Sequence, residues 1–456
     1  MGQLAQLAEM TEADFEPARI LKFGGVVSAV SQGAVSVRGI ATRVGVGDLV
    51  EMREGALAEV IRVDDAGTVV CPFDDDLSVR VGDIVTTCDG RSRQPNEFWL
   101  GRIVNAVGET IDDIGACRVP ATIKFDVGVE DKNVLGRDRV SEPLKTGVAA
   151  IDIFTPICAG QRIGVFAGSG VGKSTLLSML ARSHSFDVVV VALVGERGRE
   201  VREFVEDTLG PEGMKKTVAV VATGDESPML RRRAPELALE SAEFFSRRGN
   251  KVLLLVDSLT RYAHALREIG IAAGELPIAR GYPASVFSKL PKLLERAGPG
   301  RGAVGSITAI ATILVDGDDH NDPIADAVRG IADGHIVLDR SIAEQGRFPP
   351  INPLSSVSRL ALKVWSKDEH DLVRQMSKLI AKYEETADLR MLGGWQKGAD
   401  ADLDKAVETV PVIYDALRQS ANEPLLDDSF GHLVGRLKQH QLGGEPPQVG
   451  EGSTMQ

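Results

Sequence analysis

The sequence has little cysteine, few aromatics, a deficit of positive charge and no long apolar run, and each shortage removes a class of function. Its four cysteines, Cys71, Cys88, Cys117 and Cys158, are widely spaced over 456 residues and form no CxxC pair. Neither a zinc site nor a disulfide framework is supported, and a reducing compartment fits best. No apolar stretch approaches the roughly 20 residues that a membrane span needs. The opening residues, MGQLAQLAEMTEADFEP, lack the basic and apolar regions of a signal peptide, so a soluble, cytoplasmic protein is expected. Lys and Arg number 52 against 65 Asp and Glu, a formal net charge of −13 that argues against broad attraction to nucleic acid or anionic lipid. The seven histidines show no HxxxH or HxH pair, so histidine metal ligation is not expected.

What is present is ordinary globular material, 43% hydrophobic and 26% charged, in a chain whose length suggests about three domains. From about residue 20 to 92, short β-rich runs (VVSAVSQGAVSVRGI, LAEVIRV, TVVCPF) are punctuated by Gly and Asp-Asp, the pattern of a small β-barrel. The polar stretch Arg91 to Phe98 reads as a linker into a domain over 93–365. There, buried-strand runs (RIGVFAG, DVVVVALVGE, TVAVVAT, KVLLLVD, SITAIATILV) alternate with helical segments, which predicts an α/β core with a mainly parallel sheet. Such sheets bind ligands at the carboxyl ends of their strands. Over 366–442 helical spacing dominates, as in Leu372, Met376, Leu379 and Ile380, and residues 443–456 read as a disordered tail. Leu4, Leu7 and Met10 have helical spacing within residues 1–19, a candidate partner-binding segment.

The strongest chemical signal is AGSGVGKST at 167–175, directly after the strand RIGVF and before a helical run. Strand, glycine-rich turn and helix are the context of a phosphate-binding loop. Gly168, Ser169, Gly170, Val171, Gly172 and Thr175 would present backbone N–H groups to phosphate, Lys173 would reach the β- and γ-phosphates, and the Ser174 hydroxyl would ligate Mg²⁺. The strict pattern has Gly where this chain has Ala167, which is tolerable only if that backbone is not left-handed. Asp257 ends the run KVLLLVD, where a Walker-B aspartate holds the metal shell, usually through water. Glu196 lies just past another buried strand, where a carboxylate can orient or deprotonate water. By pattern alone it reads equally as a surface Glu paired with Arg197 or Arg199. The triplet Arg231, Arg232, Arg233 reads as a solvated helix face. DGDDHNDP, with Asp316, Asp318, Asp319 and Asp322, lacks EF-hand spacing and reads as an acidic loop.

Taken in order, AGSGVGKS, GERGRE, LLLVDSLTRYA, GYPASVFSKLPKLLERAG, DPIADAVRGIADGHIVLDR and PPINPLSSVSR resemble the catalytic-type subunits of rotary ATPases, most closely the type III protein-export ATPases. The resemblance spans about residues 20 to 440. It implies a small amino-terminal β-barrel, a RecA-like P-loop ATPase core and a carboxyl-terminal α-helical domain, with ATP as substrate and Mg²⁺ as cofactor. It further implies that Glu196 activates water, a position where non-catalytic rotary subunits carry Gln. Arg197, Glu200 and Arg261 match positions around the metal and γ-phosphate, and Phe348 matches an aromatic packed on adenine. Arg359 matches an arginine finger offered by a neighbouring subunit. The implied partners are further copies of the chain in a homohexamer, a stator-like regulator bound at the amino terminus, a central stalk protein, export-gate components, and export chaperones and substrates. Such an enzyme sits peripherally at the inner membrane. The flagellar member is the preferred reading; the injectisome ATPase and a proton-translocating ATP synthase catalytic subunit are the alternatives. A hexameric RNA translocase, which also joins a barrel to a RecA-like core, would need aromatics among basic residues on the barrel, where residues 20–90 supply only Phe23 and Phe73.

Overall fold

The computed structural model describes residues 22–31, 33–74, 78–88, 95–112, 114–115, 138–315, 322–421 and 423–442. The helix expected near the amino terminus, the expected tail at 443–456, Cys117 and the acidic residues Asp316, Asp318 and Asp319 lie outside these. The chain divides into two compact units.

The first unit contains a closed barrel of β1 (Gly24–Ser31), β2 (Ala34–Arg38), β3 (Leu49–Glu51), β4 (Leu57–Asp64), β5 (Gly67–Pro72) and β6 (Ile84–Thr87). The strands follow the order β1-β2-β5-β4-β3-β6, and β6 pairs back onto β1. Alternation along each strand sends Val27, Val35, Val37, Val50, Val60, Val70 and Val85 into one apolar core. Two segments distant in sequence, 226–230 and 265–284, belong to this unit as well. The buried Ser227 hydroxyl donates to the Phe73 carbonyl at 2.7 Å, and Arg62 donates to the Ala273 carbonyl at 2.8 Å.

The second unit is built on a nine-stranded sheet. Its strands are β7 (Ile103–Asn105), β8 (Arg162–Ala167), β9 (Val188–Glu196), β10 (Thr217–Thr223), β11 (Val252–Asp257), β12 (Gly298–Pro299), β13 (Ser306–Leu314), β14 (Gly334–Leu338) and β15 (Val357–Ser358). Their order is β15-β14-β8-β13-β11-β9-β10-β7, with β12 paired to β13. All pairings are parallel except β14 with β15 and β12 with β13. Val188–Val194 and the whole of β11 are buried without alternation, so both faces of the central sheet are covered. This is why the strands read as continuous apolar runs.

The helices that matter for the site are α1 (Ala149–Phe154), α2 (Lys173–Arg182), α3 (Gly198–Glu203), α4 (Pro228–Ser246), α5 (Leu259–Ala272), α6 (Ala284–Leu294), α7 (Pro323–Ile331) and α8 (Arg340–Glu344). The strands then give way to α9 (Lys367–Glu385), α10 (Ala387–Met391), α11 (Ala401–Leu417) and α12 (Ser429–Leu442). Helix α9 starts at a capping box in which the Ser366 hydroxyl accepts from Glu369 N–H and the Glu369 carboxylate accepts from Ser366 N–H. Val373, Met376 and Ile380 form its buried stripe, and Leu372 and Leu379 flank it. The stripe joins Val410 and Ile413 of α11 in one core that runs on to Ile163 and Leu176 of the sheet region.

One expectation changes. The arginine triplet is not a solvated face: Arg232 is only 8% exposed, and Arg233 makes a two-pronged ion pair with Glu240 at 2.7 and 2.8 Å. Glu236 and Glu240, one and two helical turns onward on α4, supply the counter-charge that lets guanidinium groups be buried. Of the linker expected at 91–98, residues 95–98 are among those described. Asn96 caps a short turn over Glu97–Trp99, and Trp99 is buried.

Candidate active site

The phosphate-binding motif falls at the junction of β8 and α2. Strand β8 has parallel neighbours on both sides, β13 and β14, so the loop leaves the sheet at its middle. Ala167 is the last residue of β8, paired with Leu314 and Leu338 and 2% exposed. Its backbone is extended, so the methyl group costs no strain where the strict pattern has Gly. The left-handed positions come later, at Gly170 (φ 74°) and Gly172 (φ 100°), and there a side chain would be strained. Lys173 then begins α2, with Ser174 and Thr175 in its first turn, so the helix's unsatisfied N–H groups face the loop. Arg340, at the start of α8, donates to the Ser169 carbonyl at 2.9 Å and ties the loop's crest to the neighbouring β14 segment.

Glu196 reaches the same edge through a local irregularity. The β9–β10 register shifts between Val194 and Glu196, so Gly195 is an extra residue that re-aims the carboxylate after it. Gly195 has φ 70°, and a Cβ there would lie 3.1 Å from the stem of Arg261. Only glycine meets both conditions. Arg261, on α5, thus packs its aliphatic part directly beneath the bulge.

Three charges converge. Lys173 Nζ donates to Asp257 Oδ1 at 2.5 Å and to Glu196 Oε1 at 3.1 Å, and all three side chains are at most 16% exposed. Burial alone would pull the Lys173 pKa down, but the Asp257 and Glu196 carboxylates outweigh it and hold the ammonium form firmly. Glu196 behaves oppositely. Burial, followed by a hydrogen bond shared with Glu200, raises its pKa to about 7 against the pull of Lys173. Glu200 is lowered by the same hydrogen bond with Glu196, so of the two carboxyls Glu196 is the later to ionise. Glu200 also accepts from the backbone N–H of Arg197, whose own side chain is exposed and 3.8 Å from Glu200.

The donor set suits Mg²⁺. Asp257 offers a buried carboxylate and Ser174 an exposed hydroxyl at the helix start, both hard oxygen ligands. The Lys173 ammonium already bridges Asp257 and Glu196, so this corner favours positive charge. Among the described residues no group of three or more His, Cys, Asp or Glu side chains could hold a metal ion by itself.

Two contributors escaped the sequence reading. Thr312, buried in β13, donates its hydroxyl to Asp257 Oδ1 at 2.7 Å and orients that carboxylate. A threonine inside an apolar strand reads as β propensity, so its role was hidden; Arg340 ends the run DPIADAVRGIADGHIVLDR, but nothing in that run singled it out. Phe348 is 44% exposed, and its ring edge lies 4.0 Å from where a Gly172 Cβ would stand, beside the phosphate loop.

Arg359 is not brought to this cluster. It follows β15, whose Ser358 pairs with Gly334, the first residue of β14, and its N–H donates to Asp333. It therefore sits at the amino ends of the parallel strands. Strand β15 is an edge strand, five positions from β9 in the sheet order, about 24 Å across at 4.8 Å per strand. Its guanidinium is exposed and donates to the Arg329 carbonyl at 3.0 Å.

Comparison with known proteins agrees with this geometry. Residues 147–358 match the ATP synthase alpha/beta family nucleotide-binding domain, and residues 365–438 match the T3SS EscN ATPase C-terminal domain. The flagellum-specific ATP synthase of Rhizobium meliloti (strain 1021) is 52% identical over 450 residues, covering 98% of this chain and 96% of that protein. The chain belongs to the ATP synthase alpha/beta family. Within this family, the assembled ATPase EscN of enteropathogenic E. coli is a structural neighbour with a TM-score of 0.83 at 37% identity, covering 91% of this chain and 99% of that one. EscN in complex with its central stalk EscO superimposes with a TM-score of 0.81 at 36% identity, covering 91% of this chain and all of that one. The family's order of barrel, parallel-sheet ATPase core and carboxyl-terminal helices is the order found here.

Proposed function

We propose that this chain, an ATP-hydrolysing enzyme, is the ATPase of a flagellar type III protein-export apparatus, working as a homohexameric ring whose sites lie between subunits. The full-length 52% identity to a flagellum-specific ATP synthase carries the biological assignment. The convergence of Lys173, Glu196 and Asp257 at the carboxyl edge of the sheet supports the chemistry.

In this reading the phosphates of ATP lie on the N–H groups of the loop from Gly168 to Thr175 and draw Lys173 from the carboxylates onto the β- and γ-phosphates. Ser174 and Asp257 would hold Mg²⁺, which would supply positive charge to neutralise the phosphate oxygens. Glu196 orients the attacking water and takes its proton. A carboxyl with a pKa near 7 is matched to that task at neutral pH. Glu200 holds Glu196 by their shared hydrogen bond, and Arg261 supports the bulge that aims it. Phe348 packs against the adenine face, a contact that needs no base-specific hydrogen bond. Arg359 enters the site of the next subunit and stabilises charge on the transferring phosphoryl group. Its place at the opposite end of the sheet suits action in trans and not in cis.

The ring would engage a central stalk protein, a stator-like regulator through residues 1–19, export-gate components, and chaperones with their substrates, at the cytoplasmic face of the inner membrane. The match of residues 365–438 to the EscN carboxyl-terminal domain supports a second reading, an injectisome ATPase. Deleting the gene separates them: loss of flagellar filaments and motility is expected, whereas intact motility with loss of another secreted set assigns the chain to an injectisome. Specific ATPase activity measured against protein concentration, with light scattering on the same samples, tests the ring. Activity should rise as oligomers appear, and full activity in a confirmed monomer would refute the shared site.

A further inference from the structure

Gln419 lies two residues beyond α11 and is 7% exposed, with its backbone N–H and both polar atoms of its side chain engaged. Its side-chain oxygen accepts from Ala149 N–H at 2.7 Å, satisfying one of the donors that the start of α1 leaves without a helical partner. The side-chain amide donates to the Gly147 carbonyl at 2.8 Å. The Gln419 backbone N–H donates to the Phe348 carbonyl, also at 2.8 Å. One buried residue thus joins the carboxyl-terminal helices, the segment entering the ATPase core and the backbone of the aromatic beside the phosphate loop.

The residue before Phe348 is held from the same side. The Arg347 guanidinium lies 3.7 Å from the centre of the Tyr414 ring on α11 and 3.9 Å from Glu384 on α9, and the Tyr414 hydroxyl donates to Glu384. Gly147 has φ 78°, and a Cβ there would be 2.5 Å from Leu425 Cβ, so the far anchor of the Gln419 side chain is fixed by close packing. A carbonyl clamped to such an anchor leaves the exposed Phe348 ring little freedom to swing away from Gly172. A side chain that merely glued helices to the core would not need its neighbouring backbone bonded to this one residue.

We propose that Gln419 is a positioning residue for nucleotide binding, holding Phe348 beside the phosphate loop so that its ring meets the base of a bound nucleotide. This rests on the reading of Phe348 as the aromatic that packs on adenine. The effect should be specific to ligands that carry a base, because the loop from Gly168 to Thr175 is held by other bonds, including that from Arg340.

The test compares calorimetric Kd values of the full chain for ADP and, by displacement of ADP, for inorganic pyrophosphate, which shares the phosphates and lacks the base. Gln419→Ala should weaken ADP roughly three- to tenfold and leave pyrophosphate within about twofold. Phe348→Ala should weaken ADP by at least as much, and adding Gln419→Ala to it should weaken ADP no further. Gln419→Met fills the same space without either side-chain bond, so it should give a loss of the same kind and provides the readout if the alanine variant does not fold. Equal weakening of ADP and pyrophosphate, or additive losses in the double variant, would show a general structural role and overturn the proposal. If Phe348→Ala leaves ADP binding unchanged, the base-packing reading itself fails. If Phe348→Ala weakens ADP and neither Gln419 variant does, only the positioning role fails.

Discussion

The two ends of the same parallel sheet differ in how much of a catalytic site each contains. At the carboxyl end, Lys173, Glu196 and Asp257 are nearly buried, mutually bonded and braced by Thr312, Glu200 and Arg261, all from one chain. At the amino end, on the edge strand, Arg359 is exposed, and its guanidinium donates to a backbone carbonyl. A group meant to act within its own chain would be held as the first set is held. The contrast supports the proposal that the chain carries a prepared half-site on one edge and offers the completing charge on the other. Such an arrangement generates head-to-tail contacts, which close into rings when the rotation permits.

Substitutions at the two ends should fail differently. Arg359→Ala should leave monomer nucleotide affinity unchanged and remove the rate gained on assembly, on the order of 10³-fold; an intact assembly-dependent gain would remove Arg359 from the site. Glu196→Gln should lower kcat by roughly 10²- to 10⁴-fold in every assembly state while ATP binding persists. Unchanged turnover would mean that another group activates water. Thr312→Val keeps the shape and deletes the donor to Asp257, so kcat/KM should fall about tenfold, the size of one hydrogen bond to a charged group. A value within twofold of wild type would show that Asp257 is oriented without it.

The smallest effect concerns pH. Because Glu196 must be ionised to accept a proton and its pKa is raised to about 7, kcat/KM should climb as pH rises through that value. Glu200 contributes to the rise by accepting the Glu196 proton, so Glu200→Gln should move the acid limb to lower pH, by less than about one unit. An unmoved limb in that variant would show that burial and the charges of Lys173 and Asp257 set the pKa without Glu200.

Sequence reading went furthest where chemistry and local structure coincide. The phosphate loop could be recognised because a buried strand, glycines needing positive φ and a helix start must follow one another in sequence. Asp257 and Glu196 could be placed on the same edge for a related reason: each ends a long apolar strand, while the role proposed for Glu196 comes from the family resemblance. What stayed hidden depends on residues far apart in sequence. Gly195 looked like part of a motif, yet its reason is the approach of Arg261 from α5. Thr312 serves Asp257 from 55 residues away. The arginine triplet was misread because burial depends on which face of α4 meets the core, and the ion pairs with Glu236 and Glu240 make that burial tolerable. The segments at 226–230 and 265–284 that complete the barrel unit could not be assigned from chain order, since they interrupt the ATPase fold.

The central claim, that each site is finished by its neighbour's Arg359, is tested most directly by mixing two inactive variants. Glu196→Gln retains the arginine and lacks the base, and Arg359→Ala has the reverse defect. In a random equimolar assembly, about a quarter of head-to-tail contacts join an intact base to an intact arginine. The account predicts that ATPase activity reappears on mixing, far above the sum of the separate samples and only at concentrations where oligomers form. Activity no greater than that sum, in oligomers shown by light scattering to contain both variants, would contradict it.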